Sequence, residues 1–196
     1  MNHRIGIYSG TFNPIHAGHI SFALQAIETA GLDRVYFLPE RYRQKKDDVA
    51  HFGHRTAMIR QALKPHKQLD LLELNDISFS VKKTWPYLLN RFNGNDLSLL
   101  VGSDVLMALG TWPYVDVLLE TAELIVGVRS GDADKIDTAL TLLPVQPYQT
   151  HIIDSYAAEV SSSKVRAALR SRQNIQGLLA SVESYSNRNW LYISLV

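Results

Sequence analysis

The stretch Ser9-Gly10-Thr11-Phe12-Asn13-Pro14-Ile15-His16-Ala17-Gly18-His19, set directly behind the apolar run Arg4 to Tyr8, narrows most sharply what this chain can fold into. The short run with its β-branched residues predicts a first strand. Gly10, lacking a side chain, predicts a backbone free to take strained dihedrals and to bring main-chain N–H groups close to an anion, with the Thr11 hydroxyl beside it. Asn13-Pro14 marks a turn. Beyond it Ile20, Leu24 and Ile27 recur at helical spacing next to Ala23 and Ala30, predicting an amphipathic helix from His16 to Ala30. His16 and His19 then share one face of its first turn, at the positive end of the helix. Strand, glycine turn and helix start in that order describe a phosphate cradle. Taken alone, the His-x-x-His pair fits a surface pair or a cap equally well, and a metal pair would need a third ligand that no Cys or His-Glu constellation supplies at a telling spacing.

Strand-like runs continue along the chain at Val35 to Pro39, Leu69 to Leu74, Leu97 to Gly102, Leu124 to Val128 and His151 to Ile153, separated by helix-sized segments. That alternation predicts an α/β fold with a doubly wound parallel sheet, in which ligands bind beyond the carboxyl ends of the strands at the switch in strand order. With 196 residues, 46% of them hydrophobic, the chain is expected to be one domain with a small C-terminal helical appendage at about 161–196. Ile175, Leu178, Leu179 and Val182 predict an apolar stripe on a C-terminal helix docked on the core, and a homo-oligomer stays open. Twenty Lys and Arg against nineteen Asp and Glu argue against bulk electrostatic binding of nucleic acid. The absence of cysteine excludes disulfides, thiolate metal sites and a Cys nucleophile. Met1 to Arg4 lead into a strand instead of a signal segment, and no apolar run could span a bilayer, so a cytoplasmic location without membrane partners is expected. The longest loop, Glu40 to Val49, clusters Arg41, Arg43, Lys45 and Lys46, and reads either as a solvated loop or as an anion-gripping lid.

Further motifs sit on predicted element boundaries. Val160-Ser161-Ser162-Ser163-Lys164-Val165-Arg166 reads as a helix start, with serines capping free N–H groups and Val165, Ala168 and Leu169 forming the apolar face. Ser162 and Arg166 lie one turn apart on the other face. Asp104, just past a strand end, could accept hydrogen bonds from a ribose or serve as an N-cap. Trp112 offers a flat π-face to a ring, or belongs to the core or a subunit contact. Ser80 reads as the cap of a helix carrying Thr84.

The Ser9 to His19 string resembles the signature of the adenylyltransferases of the nucleotidyltransferase superfamily, usually Gly-Gly-Thr-Phe-Asp-Pro-x-His-x-Gly-His, with Ser9 and Asn13 in place of Gly and Asp. Val160 to Arg166 is similar to the second signature, Ile-Ser-Ser-Thr-x-Ile-Arg. Gly102-Ser103-Asp104-Val105-Leu106, Thr111-Trp112 and Ser78 to Thr84 resemble elements of the nicotinate-nucleotide adenylyltransferases, and Glu123 to Gly131 resembles their last strand. The resemblance implies a Rossmann-like nucleotidyltransferase fold. It implies catalytic roles for His16, His19 and Arg166, and ATP binding by Ser9, Gly10, Thr11, Phe12, Gly18, Gly102, Asp104, Arg129, Ser161, Ser162 and Ser163. Ser80, Thr84 and Trp112 would hold the acceptor. The family's Pro-x-His-Lys stretch is missing after Pro39, and Lys45 or Lys46 would supply its cation.

The implied reaction is adenylyl transfer from ATP to nicotinate mononucleotide, giving deamido-NAD and pyrophosphate in NAD biosynthesis, with Mg²⁺ carried on the ATP and no metal held by the protein alone. The same reaction on nicotinamide mononucleotide, transfer to phosphopantetheine or to a sugar or polyol phosphate, and a catalytically weakened nucleotide-binding paralogue are the alternatives.

Overall fold

The computed structural model describes residues 2–41, 49–76, 78–128, 131–154 and 160–192. Six strands, β1 (Arg4–Gly10), β2 (Arg34–Pro39), β3 (Leu69–Leu71), β4 (Asp96–Gly102), β5 (Glu123–Val128) and β6 (Thr150–Asp154), make one parallel sheet in the order β3-β2-β1-β4-β5-β6. Every neighbouring pair is parallel, as crossover helices require. The helices are α1 (Ala17–Ala30), α2 (Phe52–Leu63), α3 (Thr84–Arg91), α4 (Ser103–Leu109), α5 (Val115–Thr121), α6 (Ala133–Thr141), α7 (Ser162–Ser171) and α8 (Ala180–Arg188). None of them is long and apolar enough to cross a membrane.

The two-residue period of the strands sends their apolar side chains to two cores. On one face Ile5, Ile7, Leu97, Leu99, Val101, Leu124 and Val126 pack with Trp85, Leu88, Leu106, Leu109 and Leu118 of α3, α4 and α5. On the other, Val35, Phe37, Leu100, Ile125 and Ile153 pack with Ile20, Phe22, Ala23, Ala26 and Ile27 of α1 and with Met58, Ile59, Ala62 and Leu63 of α2. Each fully buried large aliphatic side chain contributes about 1.5–3 kcal/mol of transfer free energy. The sheet is therefore a rigid platform, and β1, its central strand beside β4, delivers the first motif to its carboxyl edge.

Three boundaries differ from those predicted. His16 is the extended N-cap of α1 and not its first helical residue, since φ is −146°. β3 stops at Leu71, three residues early, after which Leu72 N–H still donates to Phe37 O (2.9 Å) but the chain turns away. The C-terminal helix starts at Ala180, so of the predicted stripe only Val182 is helical. The cause is Gly177, which sits at φ +92° with Val160 only 2.5 Å from where a Cβ would lie; its carbonyl accepts from Ala17 N–H (3.0 Å). Docking holds as predicted: Val182 is fully buried and Leu178 and Leu179 pack on the α1/α2 core.

Candidate active site

Where β1 and β4 diverge at the reversal of strand order, a cleft of about 670 Å³ opens. Its walls bring together Ser9, Gly10, Thr11, Phe12, Asn13, His16 and His19 from the first motif, Gly102, Asp104 and Trp112 from the β4 side, and Ser161, Ser162, Ser163 and Arg166 from α7. Tyr8, Glu40, Val49, Ser78, Phe79, Leu99, Leu100, Val101 and Val105 complete the lining, and none of them was a site residue predicted from sequence.

The cradle differs from expectation in one respect. The left-handed residue is Phe12, at φ 47°, and not Gly10, which ends β1 opposite Pro39. A Cβ on Gly10 would lie 3.2 Å from the Phe12 ring, so the glycine makes room for that ring. Phe12 is buried, with ring contacts to Tyr8 (5.3 Å), Phe37 (5.3 Å) and His19 (5.0 Å), and this packing holds a strained aromatic in place. Ser9 is an ordinary strand residue, so serine brings no backbone strain there. Its Oγ is buried without a hydrogen-bond partner among the described residues.

His16 and His19 stack with centroids 3.7 Å apart and planes at 28°. His16 N–H donates to His19 Nδ1 (3.2 Å). An accepting Nδ1 carries no proton, so the neutral His19 ring keeps its N–H on Nε2. The pair presents donors to the cleft at the end of α1, while two other α1-terminal amides are taken: Ala17 N–H by Gly177 O and His19 N–H by His16 O (3.0 Å).

The second motif docks straight onto the first. Ser161 caps α7, accepting from Lys164 N–H (3.3 Å). Ser162 Oγ donates to Pro14 O (3.0 Å), and Arg166 donates from Nη1 to Asn13 O (2.8 Å) and from Nη2 to Ser163 Oγ (3.3 Å). Asn13 also joins two further segments, its Oδ1 accepting from Ala50 N–H (3.0 Å) and from the Tyr192 hydroxyl (2.7 Å). Tyr192→Phe is expected to cost about 1 kcal/mol of stability, measured by urea unfolding.

Behind the cradle lies Arg55 on α2, 1% exposed, which sequence reasoning passed over. Its signal was present: Arg55 falls on the same stripe as Met58, Ile59 and Ala62, where an apolar residue is the rule. Desolvation lowers its pKa, yet an arginine stays charged at any working pH.

Beyond β4, Trp112 is half-buried with its ring 5.9 Å from Phe79, and both line the cleft. Ser80 and Thr84 bind each other: Ser80 N–H donates to Thr84 Oγ1 (3.0 Å), and the Thr84 hydroxyl donates to Asp76 Oδ2 (2.9 Å). Thr84 is buried, and neither residue lines the cleft; the N-cap of α3 is Lys83. Asp104 is exposed in the first turn of α4, whose N-cap is Gly102, and Gly18 is buried inside α1 away from the cleft wall. Lys45, Lys46 and Arg129 lie outside the described residues.

Comparison with known proteins agrees with this geometry. The cytidylyltransferase-like family matches residues 7–168. The nicotinate-nucleotide adenylyltransferase of Bacillus subtilis is 30% identical over 198 residues, covering 97% of this chain and 99% of that one. The nicotinic acid mononucleotide adenylyltransferase of Plasmodium falciparum, complexed with NaAD, superposes with a TM-score of 0.82 at 18% identity, covering 97% and 98% of the two chains. The same Plasmodium enzyme complexed with APC gives 0.79 at 17% identity over 97% and 98%. With a cradle on β1, a serine and arginine motif on α7 and full-length similarity of this kind, the chain belongs to the nicotinate-nucleotide adenylyltransferase family within the cytidylyltransferase-like nucleotidyltransferases.

Proposed function

We propose that the protein transfers an adenylyl group from ATP to nicotinate mononucleotide, forming deamido-NAD and releasing pyrophosphate. One observation carries this reading: two phosphate-binding motifs far apart in sequence are hydrogen-bonded into a single cleft through Ser162–Pro14 and Arg166–Asn13.

The acceptor phosphate is already an anion near neutral pH and attacks the α-phosphorus without a general base. The site needs only to align the two phosphates and to stabilise charge on the transferring and leaving oxygens. His19 donates from Nε2, His16 stacks beside it, and Arg166, Ser162 and Ser163 face the β- and γ-phosphates across the cleft. Gly10, Thr11 and Phe12 hold the nucleotide phosphates, Asp104 the ribose, and Trp112 with Phe79 the pyridine ring. A Mg²⁺ arriving on the ATP would supply charge neutralisation at the polyphosphate, beside the donors of His19, Arg166, Ser162 and Ser163.

Pyrophosphate release from ATP, measured with nicotinate mononucleotide, nicotinamide mononucleotide and phosphopantetheine as competing acceptors, tests the proposal. Release is expected with nicotinate mononucleotide, with deamido-NAD as product. Preference for nicotinamide mononucleotide would reassign the acceptor; release with phosphopantetheine alone, or with none of the three, would overturn the reading.

A further inference from the structure

One heavily hydrogen-bonded buried charge, Arg55, stands beside the cleft without lining it. Arg55 donates from Nη1 to Thr11 O (2.6 Å), from Nη2 to Glu40 O (2.7 Å) and Arg41 O (3.1 Å), and from Nε to Ala50 O (3.0 Å). These four carbonyls belong to three separate pieces of chain: the phosphate cradle, the exit of β2 and the approach to α2. These hydrogen bonds all go to backbone carbonyls, and the Glu40 carboxylate adds a Coulombic attraction that favours the charged form. A buried cation in that setting persists only if each donor has its acceptor, and a rigid planar fork meets that condition where a flexible ammonium cannot.

The first of these bonds bears on the strained part of the site. Thr11 O belongs to the peptide whose nitrogen is that of Phe12, the residue at φ 47°. Fixing that carbonyl fixes the plane of the Thr11–Phe12 peptide, and with it the direction in which the Phe12 N–H points. A cation on the carbonyl oxygen also polarises the peptide and strengthens its N–H as a donor. The other three bonds hold Glu40 and Ala50, which stand on either side of residues 42–48, against the same cradle; Glu40 N–H donates in addition to Gly10 O (3.0 Å).

We infer that Arg55 is a positioning residue for the transfer reaction: without touching substrate, it sets the phosphate cradle and the two flanks of the 42–48 segment in one fixed geometry through Thr11, Glu40, Arg41 and Ala50. This rests on the adenylyl-transfer reading for its kinetic readout, but not for its binding readout.

Arg55→Lys keeps the charge and loses the fork; Arg55→Ala loses both and leaves a space that guanidinium ion can fill. In the full-length chain, kcat for pyrophosphate release is expected to fall by roughly tenfold in the first and on the order of 100-fold in the second, the size of a misalignment of about 1 Å. The dissociation constant for ATP, measured by calorimetry, should rise about tenfold in Arg55→Ala, the loss of one hydrogen bond to a charged group. Non-denaturing guanidinium should restore a large part of both losses in Arg55→Ala and none in wild type, which a general loss of stability would not do. An Arg55→Ala that folds and shows no rescue overturns the inference, and so does an Arg55→Lys whose kcat per folded molecule lies within twofold of wild type. If Arg55→Ala does not fold, Arg55→Lys decides alone. Should wild type release pyrophosphate with no pyridine mononucleotide, the acceptor reading falls and ATP affinity decides: weakening in Arg55→Lys supports the positioning role, and unchanged affinity removes it.

Discussion

His19→Ala is expected to lower kcat for pyrophosphate release by about 10²–10³-fold, or roughly 3–4 kcal/mol, the cost of removing one preorganised donor to developing negative charge. The ring is held from three sides, by His16 stacked at 3.7 Å, by the edge contact of Phe12 at 5.0 Å and by Tyr8 at 6.0 Å. It therefore cannot turn away from the cleft, and its Nδ1 is committed to His16 N–H. Nε2 is the ring nitrogen that the proposed role calls on. The structural cost should be small by comparison, because alanine suits a helix interior and the lost bond to the N-cap amide is worth about 1 kcal/mol. Steady-state kinetics on the folded variant, with its melting temperature recorded, separates the two contributions. A kcat within threefold of wild type would remove His19 from the proposed machinery.

Trp85→Ala is expected to destabilise the fold by about 3–5 kcal/mol, measured as a fall in the urea midpoint at unchanged m-value. Trp85 is fully buried under the sheet in the core formed with Ile7, Leu99 and Leu106, and its Nε1–H donates to Thr121 Oγ1 (2.8 Å). Truncation leaves a cavity of more than one ring in a place where α3 and α5 are both braced. The effect should reach the cleft as well, since Trp85 lies 6.4 Å from Phe79, which in turn faces Trp112. KM for the acceptor should therefore rise more than KM for ATP. Equal stability of wild type and variant would show that the core closes over the gap.

What the sequence made legible follows from how local each signal is. All six strands stand where apolar runs mark them, because burial on both faces of a parallel sheet leaves an uninterrupted pattern. Motif residues that lie close together on one turn, such as His16 with His19 or Ser162 with Arg166, were legible with their spacing. The left-handed backbone went to Phe12 and not to Gly10, since the ring contacts that stabilise it come from β1, β2 and α1 and leave no trace in the local sequence. Thr84 shows a partner its motif did not signal: its hydroxyl donates to Asp76, eight residues earlier. Arg55 was legible in principle as a charge on an apolar stripe. Its four acceptors were not, because they are backbone carbonyls set by the fold.

The bond from Ser162 to Pro14 spans 148 residues of sequence, and that from Arg166 to Asn13 spans 153. During synthesis the cradle emerges well before the serines and the arginine that face it. Contacts of such separation carry a larger loop-closure cost than local ones. A chain without α7 would hold His16 and His19 without the serines and arginine that dock beside them. The seam between Asn13-Pro14 and α7 thus makes the geometry of the cleft depend on docking between distant parts of the chain.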